Sequence, residues 1–129
     1  MKVTSYYPEI FTKDIDKTVD SYVNDLGFSV KHRQLNDNST YIILQNEHGD
    51  RVALISFPDS DLDEGFYAMR MNVSDINEAI EYFLVRGYRN PGSTARGGRH
   101  DIHGNGRYEI MISPEGVRVD IVKHLKTEE

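Results

Sequence analysis

The 129-residue chain has no cysteine and no tryptophan. Without thiols there is no disulfide, no thiolate metal site and no cysteine nucleophile. Without indole, a strong stacking surface for a planar guest is missing. No apolar run approaches the roughly 20 residues that span a bilayer, and the opening MKVTSYYPE lacks a signal-peptide core. The expected location is therefore cytoplasmic, with no membrane partner. Positive charge is also short: 15 Lys and Arg stand against 21 Asp and Glu, a net charge of −6. That balance argues against nucleic acid as a partner and permits a cationic ligand. No glycine-rich phosphate motif opens a helix, and no nucleophile elbow is present. The 38% apolar and 28% charged content is ordinary for a soluble globular chain of one-domain length.

What the chain does have is a repeat. Lys13 to Phe28, KDIDKTVDSYVNDLGF, predicts an amphipathic helix. Asp14 can cap it, Asp16 adds negative charge in the first turn, and Gly27 can stop it in the left-handed conformation. Ile15, Val19, Tyr22, Val23 and Leu26 recur at helical spacing and form its apolar stripe. Some sixty residues later Ser74 to Tyr88, SDINEAIEYFLVRGY, echoes it. There Ser74 or Asp75 caps, Ile76, Ala79, Ile80, Phe83 and Leu84 form the stripe, and Gly87 stops. Asp14 aligns with Asp75, Ile15 with Ile76, Val19 with Ile80 and Tyr22 with Phe83. Each helix follows a short strand, so the chain is read as two copies of one supersecondary unit.

The strands follow from alternation and turn signals. Val3 to Thr12 is the first, with Ser5, Tyr7, Glu9 and Phe11 on one face; Pro8 suggests an edge or a bulge. Phe28 to Leu35, Thr40 to Gln45 and Arg51 to Phe57 follow. The acidic PDSDLDEG over 58–65 reads as a linker. Phe66 to Val73 answers the first strand, and Arg107 to Ile112 and Val117 to Lys123 close the series around a Ser113–Gly116 turn. Residues 90–106, rich in Gly, Arg and His, read as a long loop with room for one short strand. The order is a βαβββ unit used twice.

That layout, with KDIDKTVDSYVNDLGF and SPEGVRVDIV, resembles the vicinal oxygen chelate superfamily, which includes glyoxalase I, extradiol dioxygenases, fosfomycin-resistance enzymes and bleomycin-resistance proteins. The resemblance implies a single α+β domain of two βαβββ modules, about 1–57 and 66–124. Their curved mixed sheet would enclose a cavity, with the helices on the outer face. It also implies a homodimer. In metal-dependent members a divalent ion at the cavity floor is held by the first and last strands of each module. Those positions fall here at Tyr7, Ala53, Ala68 and Asp120. Only Asp120 is a usual ligand, whereas a catalytic divalent site takes about three protein ligands. No cofactor is expected on these residues. A divalent metal would need unfamiliar donors, and Asp120, His100 and His103 are the candidates.

Residues two apart on a strand share a face. If Tyr7 and Ala68 point inward, so do Glu9, Phe11, Arg70 and Asn72, with Arg51, Ile55, Arg118, Asp120 and Val122 on the outer strands. Glu9 and Arg70 hold equivalent places in the two repeats and are expected to meet as an ion pair. The pair can be purely structural, because buried charges persist mainly when paired. The functional expectation is a small-molecule site built of Tyr7, Glu9, Phe11, Arg70, Asn72 and Asp120. Three functions follow: a small-molecule-binding protein with a degenerate metal site, sequestering a polar or cationic ligand; a glyoxalase-type lyase, isomerase or dioxygenase using non-standard metal ligands; and a ligand-free regulatory or scaffold dimer.

Overall fold

The computed structural model describes residues 1–57, 60–91 and 108–123. The elements are β1 (Val3–Phe11), α1 (Ile15–Leu26), β2 (Ser29–Leu35), β3 (Thr40–Gln45), β4 (Arg51–Ser56), β5 (Gly65–Val73), α2 (Ile76–Leu84), β6 (Tyr108–Ile112) and β7 (Arg118–Lys123). They make a mixed α+β fold with two helices and a seven-stranded sheet of order β2-β3-β4-β1-β5-β7-β6. Among the described residues the second repeat shows β, α, β and β; of the loop expected over 90–106, residues 92–106 lie outside them.

The chain divides into two compact units. One holds Tyr7–Tyr67; the other holds Met1–Tyr6 and the described residues from Ala68 onward. The division falls inside β1. β1 lies between β4 and β5 in the strand order, so Pro8 is not on an edge strand, one of the two places expected for it. It precedes Glu9, the first residue in register with β4, so its missing N–H falls where the strand passes from one unit to the next.

In the Tyr7–Tyr67 unit, β1 runs parallel to β4, and β2, β3 and β4 pair antiparallel. β3 and β4 are buried on both faces, hence their unbroken apolar runs YIIL and VALI. One face, Ile42, Leu44, Val52 and Leu54, receives α1 through Val19, with Ile15, Tyr22 and Phe28 alongside. The Asp14 side chain accepts from Lys17 N at 3.2 Å, and Gly27 takes φ 77°. The expected stripe is wider than the buried one. Val23 and Leu26 are exposed, because the sheet meets the i, i+4, i+7 line of Ile15, Val19 and Tyr22.

In the other unit, β5 runs parallel to β7, and β6 and β7 pair antiparallel. Met69, Met71, Val73, Met111, Val119 and Ile121 pack with Ile76, Ala79, Ile80 and Phe83 of α2. Asp75 is the cap, accepting from Glu78 N at 3.1 Å. Leu84, expected in the stripe, is exposed. The tight turn into β7 forms as expected: Gly116 N donates to Ser113 O, and Gly116 takes φ 92°.

Candidate functional site

Strand alternation gives each unit a sheet face without a helix. In the Tyr7–Tyr67 unit it carries Tyr7, Phe11, Tyr41, Ile43, Ala53 and Ile55, with Phe57 and Tyr67 packed against them. Phe57 stacks on Phe11 at 5.9 Å between centroids and meets Tyr67 at the same distance. Within this aromatic surface Glu9 is fully buried, in register with Ala53. At the margin Arg51 donates through Nε to Gln45 Oε1 at 3.0 Å, and its guanidinium carbon lies 5.9 Å from the centre of the Tyr7 ring.

The same face of the other unit is polar. Arg70 and Asn72 alternate with the α2-facing Met69, Met71 and Val73. Arg70 is in register with Asp120, and Asn72 with Val122. Arg70, Asn72 and Asp120 are all buried. Asn72 donates through Nδ2 to Ser5 Oγ at 2.7 Å, and its backbone carbonyl accepts from Thr4 Oγ1 at 3.2 Å. Arg118, two residues before Asp120, donates Nε to Oδ1 at 2.8 Å and Nη2 to Oδ2 at 3.4 Å.

Each of the six sequence-predicted residues is buried, and each unit gathers three: Tyr7, Glu9 and Phe11 in one, Arg70, Asn72 and Asp120 in the other. Two things escaped the sequence reading. The Arg118 fork on Asp120 was readable, since i and i+2 of a strand share a face. Glu109 was not. It shares the parity of Met111 and thus the α2 side of the sheet, yet it is fully buried and accepts from Asn90 Nδ2 at 3.1 Å. The metal candidates His100 and His103 lie outside the described residues.

A divalent ion fits poorly at the four positions that the resemblance implies. Ala53 and Ala68 carry no donor, Tyr7 offers a neutral phenol, and both oxygens of Asp120 receive N–H groups of Arg118. Among the described residues no cluster of three His, Asp or Glu side chains could hold an ion.

Two hollows lie elsewhere, one at the start of each helix. One, of about 400 Å³, is lined by Thr12, Lys13, Asp14, Lys17, Thr18, Ser21 and Glu64. Glu64 Oε2 accepts from Lys13 N at 2.9 Å and from Thr12 Oγ1 at 3.2 Å. These bonds, the backbone one foremost, hold its carboxyl below the usual carboxylate pKa. The other, about 480 Å³, lies among Ser74, Asp75, Ile76, Asn77 and Lys123. Neither includes a predicted site residue.

No family model matches the sequence. No curated protein matches it either. Solved structures do. A methylmalonyl-CoA epimerase from Mycobacterium tuberculosis is similar with a TM-score of 0.75 at 19% identity, over 95% of this chain and 89% of that one. A hypothetical protein from Bacillus halodurans C-125 reaches 0.75 at 13% identity, over 95% and 97%. A variant of the Streptomyces coelicolor methylmalonyl-CoA epimerase, in complex with 2-nitronate-propionyl-CoA, reaches 0.70 at 19% identity, over 99% of both. The epimerases are members of the vicinal oxygen chelate superfamily, and at these identities the likeness is one of fold.

Proposed function

We propose that this chain is a small-molecule-binding protein on the glyoxalase-type fold, holding a polar ligand without a divalent ion at the four positions that the resemblance implies. Tyr7, Glu9, Phe11, Arg70, Asn72 and Asp120 are its binding residues, and it works as a cytoplasmic homodimer. The donor set carries this reading: two alanines, one phenol, and a carboxylate already forked by Arg118. Buried polar side chains on otherwise apolar sheet faces are the usual makings of a ligand site.

Two measurements test it. Elemental analysis of purified protein should find less than stoichiometric metal. A thermal-shift screen of polar metabolites should find binders, because a ligand at about 100 times its Kd stabilises by roughly 2.7 kcal/mol. Arg70→Ala should abolish those shifts while circular dichroism still reports a folded chain. A full complement of zinc, nickel or iron would overturn the reading.

The epimerase neighbours favour a second reading, an isomerase acting on an acyl thioester. Glu9 would then be the base that removes the proton next to the thioester carbonyl. Incubation with methylmalonyl-CoA in deuterated water separates the two, since only an isomerase incorporates deuterium at the α carbon.

A further inference from the structure

We propose that Arg118 is the cation this chain keeps in place of a divalent ion, and that it binds a ligand oxyanion, a carboxylate in particular. The proposal rests on the reading of Asp120 as part of a ligand site. It adds the group that meets the ligand and the chemistry of what is met.

The position of Arg118 follows from the strand. Arg118 and Asp120 are i and i+2 of β7, so they share its helix-free face. The Asp120 side chain is 3% exposed, and both its oxygens lie on the guanidinium, at 2.8 and 3.4 Å. Arg118 itself is 25% exposed. One edge of the planar group is thus fixed by a buried carboxylate while part of it reaches the surface. A carboxylate that would ligate a metal in relatives here orients a cation instead.

The exchange alters the chemistry. A divalent ion accepts lone pairs from almost any oxygen and keeps a net positive charge once one carboxylate is bound. A guanidinium offers five N–H donors in a rigid plane, and its charge is balanced by Asp120. It favours a planar, two-oxygen anion that matches the fork, and it has no empty orbital with which to polarise a carbonyl. Fixing one edge on Asp120 also lowers the rotamer entropy lost when a ligand docks. A role confined to satisfying Asp120 would make Arg118 matter for stability alone. Ligand binding must therefore be the readout.

The test uses the full chain and a thermal-shift screen containing malonate, succinate, their uncharged diamides and a set of small amines. Any binder is then titrated by calorimetry into the natural protein, Arg118→Lys and Arg118→Gln. The expected result is that malonate or succinate binds and the diamides do not. Arg118→Lys should bind about tenfold more weakly, since a point charge loses a charge-assisted bond of the fork, and Arg118→Gln should not bind. Circular dichroism checks folding, and should the Gln variant unfold, the Lys variant decides. Carboxylate binding unchanged in both variants overturns the proposal. So do binders that are all amines and indifferent to Arg118, an outcome that leaves the binding reading intact. A screen with no binder at all defeats both.

Discussion

Ala53 and Asp120 hold the same place in the two halves of a duplicated chain, and their surroundings have diverged in opposite directions. Around Ala53 the helix-free face is aromatic, with Tyr7, Phe11, Tyr41 and Phe57 enclosing one acid, Glu9, whose register partner is a methyl group. Around Asp120 the same face holds Arg70 in register and Arg118 two residues away, with Asn72 beyond. One backbone plan thus supports an aromatic face with Glu9 inside it and Arg51 at its margin, and a polar face that gathers Arg70, Arg118 and Asp120. The backbone dictates which residues face that side, and the side chains decide what can stay there.

The sharpest way to break this contrast is to give the first half what the second has. Ala53→Asp puts a carboxylate at a fully buried position in register with Glu9, where Arg51, the counterpart of Arg118, already donates to Gln45 Oε1. Like charges in an apolar setting are among the few changes expected to cost at least about 4 kcal/mol. Urea unfolding should show that loss, or no folded protein. A variant as stable as the natural chain would mean that the aromatic face tolerates charge and that the halves differ less than their residues suggest.

The helices repeat the contrast on the other side of the sheet. α2 buries Ile76, Ala79 and Phe83, whereas α1 buries Val19 alone. Phe83→Ala should cost roughly 3–4 kcal/mol, and Tyr22→Ala, at the matching position but half-buried, about 2 kcal/mol or less. Equal losses in urea unfolding would show that the duplicated helices share the load despite their unequal burial.

Much of this was legible in the chain. Helix caps at Asp14 and Asp75, the glycine stops and the strand spans follow from local chemistry, and local chemistry is what a sequence displays. The two-residue strand period was enough to put Glu9, Arg70, Asn72 and Asp120 on one kind of face. Side-chain partnership was less legible. Nothing local in YEIMI marks Glu109 as a fully buried acid on the α2 side, because its cover and its Asn90 partner come from residues distant in the chain. The overlong stripe of α1 has the same origin: apolar periodicity shows which residues can be buried, and the sheet's extent decides which are.

A smaller test removes the second half's carboxylate. Asp120→Ala removes the carboxylate that takes two N–H groups of Arg118, and Arg118 is 25% exposed, so water can reach it. The loss should be about 2 kcal/mol, at the lower end for a hydrogen-bonded charge. It should also restore the symmetry with Ala53. If the proposal for Arg118 holds, carboxylate binding weakens as well, because the fork is no longer held in one orientation.

The smallest effect expected concerns a contact at the start of the first half's helix. Glu64, in the segment leading to β5, accepts from Lys13 N and Thr12 Oγ1 at the start of α1, and the Thr12 hydroxyl lies 2.7 Å from that of Thr18. The two bonds favour the charged carboxylate, so its pKa falls on folding. A depressed folded pKa means that the contribution is present above the unfolded carboxylate value and disappears as pH falls through the folded one. The Lys13 charge reinforces this and Asp14 opposes it, and the carboxylate is solvated, so the magnitude is small. Glu64→Gln should therefore match the natural chain at low pH and fall slightly below it at neutral pH, with faster hydrogen exchange at the Lys13 amide. Identical stability curves from pH 3 to 7 would show that the segment before β5 needs no anchor on α1, and that in this respect the two halves are alike.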